Sequence, residues 1–152
     1  AEIRHVPRDQ AGAGFAVFTL AMTAMRLFGD GIVERLGRTR TIIIGGITAA
    51  AGFALATLVP SFAMALVGYV LVGLGCANIV PALFSMAGQQ RAMPESIAIT
   101  AVTTLGYAGI LAGPAAIGAL AHATSLGFAF LCVAAMLLGV AASARSLARR
   151  LP

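Results

Sequence analysis

Long apolar runs, separated by short charged or turn-forming breaks, dominate this chain of 152 residues. Residues 41–90 and 96–144 contain no Asp, Glu, Lys or Arg. Each of these blocks is about twice the ~20 residues that a helix needs to cross a bilayer. Each also has a break near its middle, at residues 60–61 and 122–127. Together with the apolar run after the first ten residues, the pattern predicts five membrane-spanning helices. We expect them at residues 11–29, 41–59, 62–87, 97–120 and 127–145.

The predicted fold class is therefore an all-α membrane protein with two parts. Residues 1–10 form a segment on the outer side, and residues 11–152 form the transmembrane domain. A charged start followed by an apolar run is also typical of a signal peptide. Here the run ends in Arg26 and not in a small-residue cleavage site, and four more apolar runs follow, which favours a retained span.

Composition supports a membrane environment and argues against nucleic-acid binding. Hydrophobic residues make up 60% of the chain and charged residues 10%, against about 25% charged in a typical soluble domain. The net charge is +5, but the ten basic residues, all arginine, are scattered between apolar runs and form no basic face with stacking aromatics. We expect the lipid bilayer to surround the apolar helices and no nucleic acid to bind.

The positions of the arginines predict the orientation of the spans. If the spans alternate sides, one side receives Arg35, Arg38, Arg40, Arg91, Arg145, Arg149 and Arg150, and the other receives Arg4 and Arg8. The side of a membrane protein that is richer in arginine stays in the cytoplasm. We therefore expect a multi-pass protein of the cytoplasmic (inner) membrane, with the N-terminus of this chain outside and its C-terminus inside.

The connector after the first span, VERLGRTR at residues 33–40, has an ordered charge pattern that a simple positively charged loop does not require. Gly37 can adopt the positive φ angle that ends a helix, which suits a short turn between two spans. Glu34 and the arginines beside it can form a small ion network with neighbouring helix ends.

This order resembles the loop signature of the major facilitator superfamily, G-x-x-x-D-R-x-G-R-R, which recurs in both halves of those transporters. The residues that match its acid, arginine, glycine and arginine are Glu34, Arg35, Gly37 and Arg38, with glutamate in place of aspartate. The first glycine of the signature falls on Asp30, which lies between Gly29 and Gly31. In that family the loop latches the cytoplasmic ends of helices, so the resemblance implies a gating role.

The rest of the chain fits the same resemblance. The second copy of the signature follows the eighth of twelve spans, so the five spans resemble the C-terminal six-helix half of such a transporter without its first helix. Residues 73–89 and 104–118 are similar to the tenth and eleventh spans of bacterial members grouped with sugar permeases. Residues 109–118 also contain G-x-x-x-G-P-x-x-x-G, which is similar to the glycine–proline motif of drug antiporters, although that motif belongs to the fifth span.

Polar side chains on the first span lie on one predicted helix face. They are Thr19, Thr23, Arg26 and Asp30, at spacings of four, three and four. Arg26 and Asp30 could form an ion pair that supports the neighbouring loop, or they could mark a proton or substrate pathway. We favour a gating role because both residues lie close to the loop.

Asn78 is the only amide in the middle of a predicted span. Pro81 cannot donate a backbone hydrogen bond to the carbonyl of Ala77, which predicts a kink beside Asn78. Transporters often place substrate sites at interrupted helices near the membrane centre. Asn78 is therefore either a hydrogen-bond partner between helices or a contact for the substrate.

The fourth predicted span has a second polar face, formed by Thr100, Thr103, Thr104 and Tyr107. Threonine often bonds back to its own helix, but Thr103, Thr104 and Tyr107 are also candidates to bind a sugar-like ligand. Pro114 predicts a kink farther along this span. Gly109 and Gly113 form a small-residue face that permits close helix packing.

These features favour part of a secondary transporter that moves a small solute by alternating access. The resemblance implies a small solute, with a sugar-like solute and proton-coupled transport as expectations, and a missing N-terminal half, attached or separate, as partner. An efflux carrier for drugs or metabolites and a non-transporting or truncated membrane subunit are the alternatives. No cofactor or metal is expected. A membrane enzyme is disfavoured because no span pairs two acids and both histidines, His5 and His122, lie outside the predicted spans.

Overall fold

The computed structural model of the chain describes residues 12–148, and these residues fold into seven α-helices without a strand. The helices are α1 (Ala13–Leu27), α2 (Gly29–Leu36), α3 (Arg38–Leu58), α4 (Phe62–Cys76), α5 (Ile79–Gln89), α6 (Glu95–Ala123) and α7 (Leu126–Ala148). The predicted outer segment at residues 1–10, with Arg4, His5 and Arg8, lies outside the described residues, as do Arg149 and Arg150.

The helices account for the predicted spans. Four segments are long and apolar enough to cross a membrane: Arg38–Leu58, Phe62–Gln89, Glu95–Ala123 and Leu126–Arg145. A fifth span results if α1 and α2, which meet at a bend of 61°, are counted together. The all-α membrane class predicted from the apolar runs is therefore confirmed, with four or five candidate spans.

The helix bounds differ from the predicted ones at two connections. Residues 29–36 form α2, whereas the first span was predicted to end at residue 29 and to be followed by a short turn. Ile32 and Val33 are half-buried, whereas Asp30, Glu34 and Arg35 are exposed, so the segment can stay helical with one side in water. His122 lies in the last turn of α6 and not in the turn between spans, because α6 continues to Ala123.

Helices α3 and α4 form the centre of the fold, and glycines bring their backbones together. A Cβ atom added to Gly45 would lie 2.5 Å from the carbonyl oxygen of Gly75, and one added to Gly75 would lie 2.5 Å from that of Gly45. Gly52 and Gly68 form the same reciprocal pair seven residues away on each helix. Small residues allow this approach in a membrane, where apolar burial adds little to helix association.

Glycines also allow α1 and α7 to approach this pair closely, one on either side. On α4, a Cβ at Gly73 would lie 2.5 Å from the carbonyl oxygen of Phe18 in α1. On α3, a Cβ at Gly46 would lie 3.0 Å from that of Leu137 in α7. Helix α1 therefore packs on α4, and α7 packs on α3.

Helix α6 is the least buried of the four long candidate spans in the described chain. Its only buried residue is Ala98, near its start. A Cβ at Gly109 or Gly113 would meet no atom within 4 Å, and Leu111 is 80% exposed. The predicted small-residue face thus has no helix packed on it within residues 12–148. The helix continues through Pro114 to Ala123.

Candidate functional site

Two interrupted spans meet inside the fold. The first span changes direction at Phe28, between α1 and α2. The other span is interrupted at Ala77 and Asn78, between α4 and α5. The second interruption lies where the missing N–H of Pro81 predicted it, because Pro81 is the third residue of α5 and leaves the Ala77 carbonyl without its usual helical donor.

Asn78 holds the N-cap position of α5, but its side chain does not cap the helix. An N-cap asparagine usually accepts a hydrogen bond from the second or third N–H of its helix. Here the third residue is Pro81, which has no N–H to give. The side-chain amide is therefore free of its usual local role and lies against another helix.

The amide of Asn78 lies against Gly29, at the start of α2. Asn78 is 6% exposed, and Gly29 is the only buried residue of α2. A Cβ atom at Gly29 would overlap Oδ1 of Asn78 and lie 2.9 Å from its Cγ and 3.2 Å from its Nδ2. The two interruptions are thus in direct contact, and the contact requires a residue without a side chain at position 29.

The Nδ2 atom of Asn78 is buried and has no hydrogen-bond partner in the described part of the chain. A buried donor without an acceptor is unfavourable by about 1–3 kcal/mol. Such a group is rare in a native structure and requires an explanation, such as a partner outside the described residues. Asn78 thus combines a helix break with an available hydrogen-bond donor.

The connector between α2 and α3 is held by one long-range hydrogen bond. Gly37 ends α2 with a φ angle of 79°, which confirms the predicted positive φ. Arg38, the first residue of α3, donates through Nη1 to Oε1 of Gln89, the last residue of α5. The loop is thus tied to the end of the span that Asn78 interrupts, 51 residues away.

The predicted ion network of the connector is not formed among residues 12–148. Arg26 lies in the last turn of α1 and Asp30 in the first turn of α2, so the bend separates two residues expected on one helix face. The side chains of Arg26, Asp30, Glu34 and Arg35 are exposed. None of the four forms an ion pair with another described residue.

The residues on the predicted polar face of α6 are exposed or bonded within their own helix. The hydroxyls of Thr100 and Thr103 donate to the carbonyls of Ser96 and Ile99 in their own helix. Thr104 is exposed, and Tyr107 is 65% exposed. No hydrogen bond within residues 12–148 joins Tyr107 to Asn78. No described hydrogen bond therefore joins the four substrate-binding candidates, and their roles stay predictions.

Two residues of the site were not predicted from the sequence. Gly29 was visible only as a neighbour of Asp30 in the loop signature, and its burial depends on a helix 49 positions away in the chain. Gln89 shares a helical face with Asn78, but nothing in the sequence links it to Arg38. Both contacts are tertiary, so local patterns could not reveal them.

Comparison with known proteins gives a consistent family match. The family model described as Major Facilitator Superfamily matches residues 1–151. An uncharacterized MFS-type transporter of Yersinia pestis is 50% identical over 147 residues, which is 97% of this chain and 38% of that protein. The membrane protein MosC of Rhizobium meliloti is 42% identical over 116 residues, covering 76% of this chain and 28% of MosC.

A third relative extends the comparison. An uncharacterized transporter of Sinorhizobium fredii is 35% identical over 117 residues, covering 77% of this chain and 31% of that protein. No solved structure gives a significant match to the chain. The chain thus spans between 28% and 38% of the length of these relatives.

Proposed function

This chain belongs to the major facilitator superfamily, and we propose that it supplies the last five spans of a secondary transporter. The complete carrier moves a small polar solute across the cytoplasmic membrane by alternating access, in which two halves rock around a central site. The five candidate spans and the loop between α2 and α3 correspond to the second half of such a carrier without its first helix.

The observation that carries this proposal is the buried amide of Asn78 at the junction of two interrupted spans. Transporters of this kind bind solutes near the membrane centre, where interrupted helices offer backbone and side-chain polar groups. The Nδ2 atom of Asn78 has no acceptor among the described residues. A solute oxygen can satisfy this donor, which favours a ligand with hydroxyl or carboxylate groups.

The connector between α2 and α3 supports the alternating-access part of the proposal. We assign it to the cytoplasmic side, with Arg91 and Arg145, because arginine-rich loops remain inside. The hydrogen bond from Arg38 to Gln89 ties the start of α3 to the end of α5. A bond of this kind closes the cytoplasmic ends of two spans in one state and opens in the other, so it acts as a gate.

We propose that α6 packs against the part of the carrier that lies outside this chain. Relatives of this chain are more than twice its length, so most of a complete carrier lies outside it. The uncovered face of α6, with Gly109 and Gly113 free of contacts, allows a helix from that part to approach closely. Tyr107 and Thr104 lie on the same exposed helix and are then available to the cavity between the two halves.

The experiment that tests the proposal is uptake by the full-length carrier in proteoliposomes with an imposed proton gradient. The probes are 14C-labelled hexoses, pentoses, polyols and small carboxylic acids, added either outside or preloaded inside. We expect one of them to accumulate and an uncoupler to abolish the accumulation. Accumulation that survives the uncoupler would contradict proton coupling. If solute leaves preloaded vesicles but none is taken up from outside, the carrier is assigned to efflux. If no probe moves in either direction, the proposed solute class is wrong.

A further inference from the structure

We infer that Gly29 is a positioning residue for the amide of Asn78, and that the bend between α1 and α2 determines whether this amide is covered or free to bind a solute oxygen. The inference rests on the proposed transport function, in which Asn78 contacts the solute. It concerns a residue outside the four matching positions of the loop signature, and it follows from the contact between the two interrupted spans.

Gly29 leaves the space that the side-chain amide of Asn78 occupies. A Cβ atom at this position would overlap Oδ1 of Asn78 and crowd both its Cγ and its Nδ2. Every other amino acid at position 29 therefore displaces the whole amide. Gly31, two residues farther along the same helix, is exposed, and a Cβ there would meet no atom within 4 Å. The requirement for glycine is thus specific to position 29.

The amide of Asn78 lies against Gly29 and does not serve as a helix cap. Asn78 does not cap α5, and Pro81 removes one of the two N–H groups that a cap could use. Its Oδ1 faces Gly29, while its Nδ2 is buried without an acceptor among residues 12–148. The amide is therefore held by the fit against Gly29 and by no described hydrogen bond.

The position of Gly29 relative to Asn78 controls the access of a solute to the amide. Gly29 directly follows Phe28, where the first span bends. A change in that bend moves Gly29 relative to Asn78, because the residue that makes the contact is next to the bend. When Gly29 withdraws, the amide gains access to a solute oxygen, and its free donor is satisfied on binding. The bend thereby links the loop side of the first span to the solute contact on the other span.

A first experiment needs no transported solute. Asn78→Cys is made in the full-length carrier with its native cysteines, Cys76 and Cys132 among them, replaced by alanine. The rate of alkylation by N-ethylmaleimide is then measured in three proteins of this background. One keeps both glycines, one carries Gly29→Ala, and one carries Gly31→Ala. We expect Gly29→Ala to speed alkylation about tenfold, because the added methyl group pushes the side chain at position 78 out of its buried position, and burial protects a thiol. Equal rates in all three proteins would overturn the positioning role.

A second experiment separates positioning from packing. Uptake of the labelled solute selected by the screen above is measured for Gly29→Ala, Gly31→Ala, Asn78→Ala and the Gly29→Ala/Asn78→Ala double variant. We expect Gly29→Ala to raise KM about fivefold, as for the loss of one hydrogen bond, with Vmax nearly unchanged. Gly31→Ala should resemble the wild type. The double variant should match Asn78→Ala, because no amide is left to displace.

The outcomes distinguish the two proposals. If the wild-type carrier transports the solute but Gly29→Ala keeps the wild-type KM, the positioning role is wrong and the proposed function stands. If a lowered Vmax is the only effect of Gly29→Ala, the contact serves packing and the inference also fails. If the wild type transports none of the probes while alkylation at position 78 still depends on Gly29, the proposed function fails and the positioning relationship stands.

Discussion

Gly45 of α3 and Gly75 of α4 face each other so closely that a methyl group on either would lie 2.5 Å from the carbonyl oxygen of the other. Gly52 and Gly68 repeat this reciprocal contact. The seven-residue spacing on both helices keeps the two antiparallel backbones together over two turns. Close backbone contact supplies the packing that apolar burial cannot supply between helices in lipid. The α3–α4 pair is therefore the rigid support on which the interrupted spans lie.

Replacing Gly75 with alanine should destabilise the carrier. The new Cβ would meet the carbonyl oxygen of Gly45 and, at 2.6 Å, the backbone nitrogen of Ala49, and neither can move without shifting a helix. Overpacking of this kind costs about 1–3 kcal/mol. Thermal unfolding of the full-length carrier in detergent measures the effect. Gly139→Ala on α7, where a Cβ meets nothing within 4 Å, is the matched control. Equal midpoints for the two variants would show that the close contact is not needed.

Breaking the hydrogen bond between Arg38 and Gln89 should impair gating. We expect Arg38→Ala and Gln89→Ala to change the uptake rate to similar extents and the double variant to be no worse, because each single change already removes the bond. The bond is exposed, so its contribution to stability is small, about 1 kcal/mol. Arg40→Ala, an exposed arginine two positions away, controls for the loss of positive charge. Strictly additive effects of the two single changes would argue that the residues act separately.

A large side chain on the open face of α6 should affect the complete carrier. A Cβ atom at position 109 meets no atom within 4 Å in the described chain, so we attribute a loss of stability there to contacts with the part of the carrier outside it. We expect Gly109→Leu to lower the unfolding midpoint of the full-length carrier more than Gly139→Leu on α7. The same midpoint for both variants would show that no helix covers this face.

The spans and the position of the main helix break could be predicted from the sequence because they depend on local properties. Charge-free runs mark membrane helices whatever their partners. Pro81 removes a particular hydrogen bond and therefore interrupts the helix near Asn78. Gly37 adopts a positive φ angle between α2 and α3, a conformation that glycine takes without strain. The helical state of residues 29–36 was missed because charges were taken to indicate a turn, although they also fit a short amphipathic helix.

The contacts of the candidate site could not be predicted because they join distant parts of the chain. Arg38 was expected near other helix ends, but the choice of Gln89 depends on how α5 lies along the start of α3. Gly29 was considered only in relation to the loop signature, whereas its burial depends on the kink at Asn78. In both cases the sequence identifies one partner, and only the packing of the helices identifies the other.

Replacing Asn78 with leucine should weaken solute binding while leaving the fold intact. Leucine has a similar shape and removes a buried donor that has no partner in the described residues, so the unfolding midpoint should stay the same or rise. KM for the transported solute should increase roughly fivefold because one hydrogen bond to the solute is lost. Thr48→Val, a half-buried polar-to-apolar change on α3, should leave KM unchanged. An unchanged KM for Asn78→Leu, at a normal amount of protein in the membrane, would mean that the amide serves the contact between helices and not the solute.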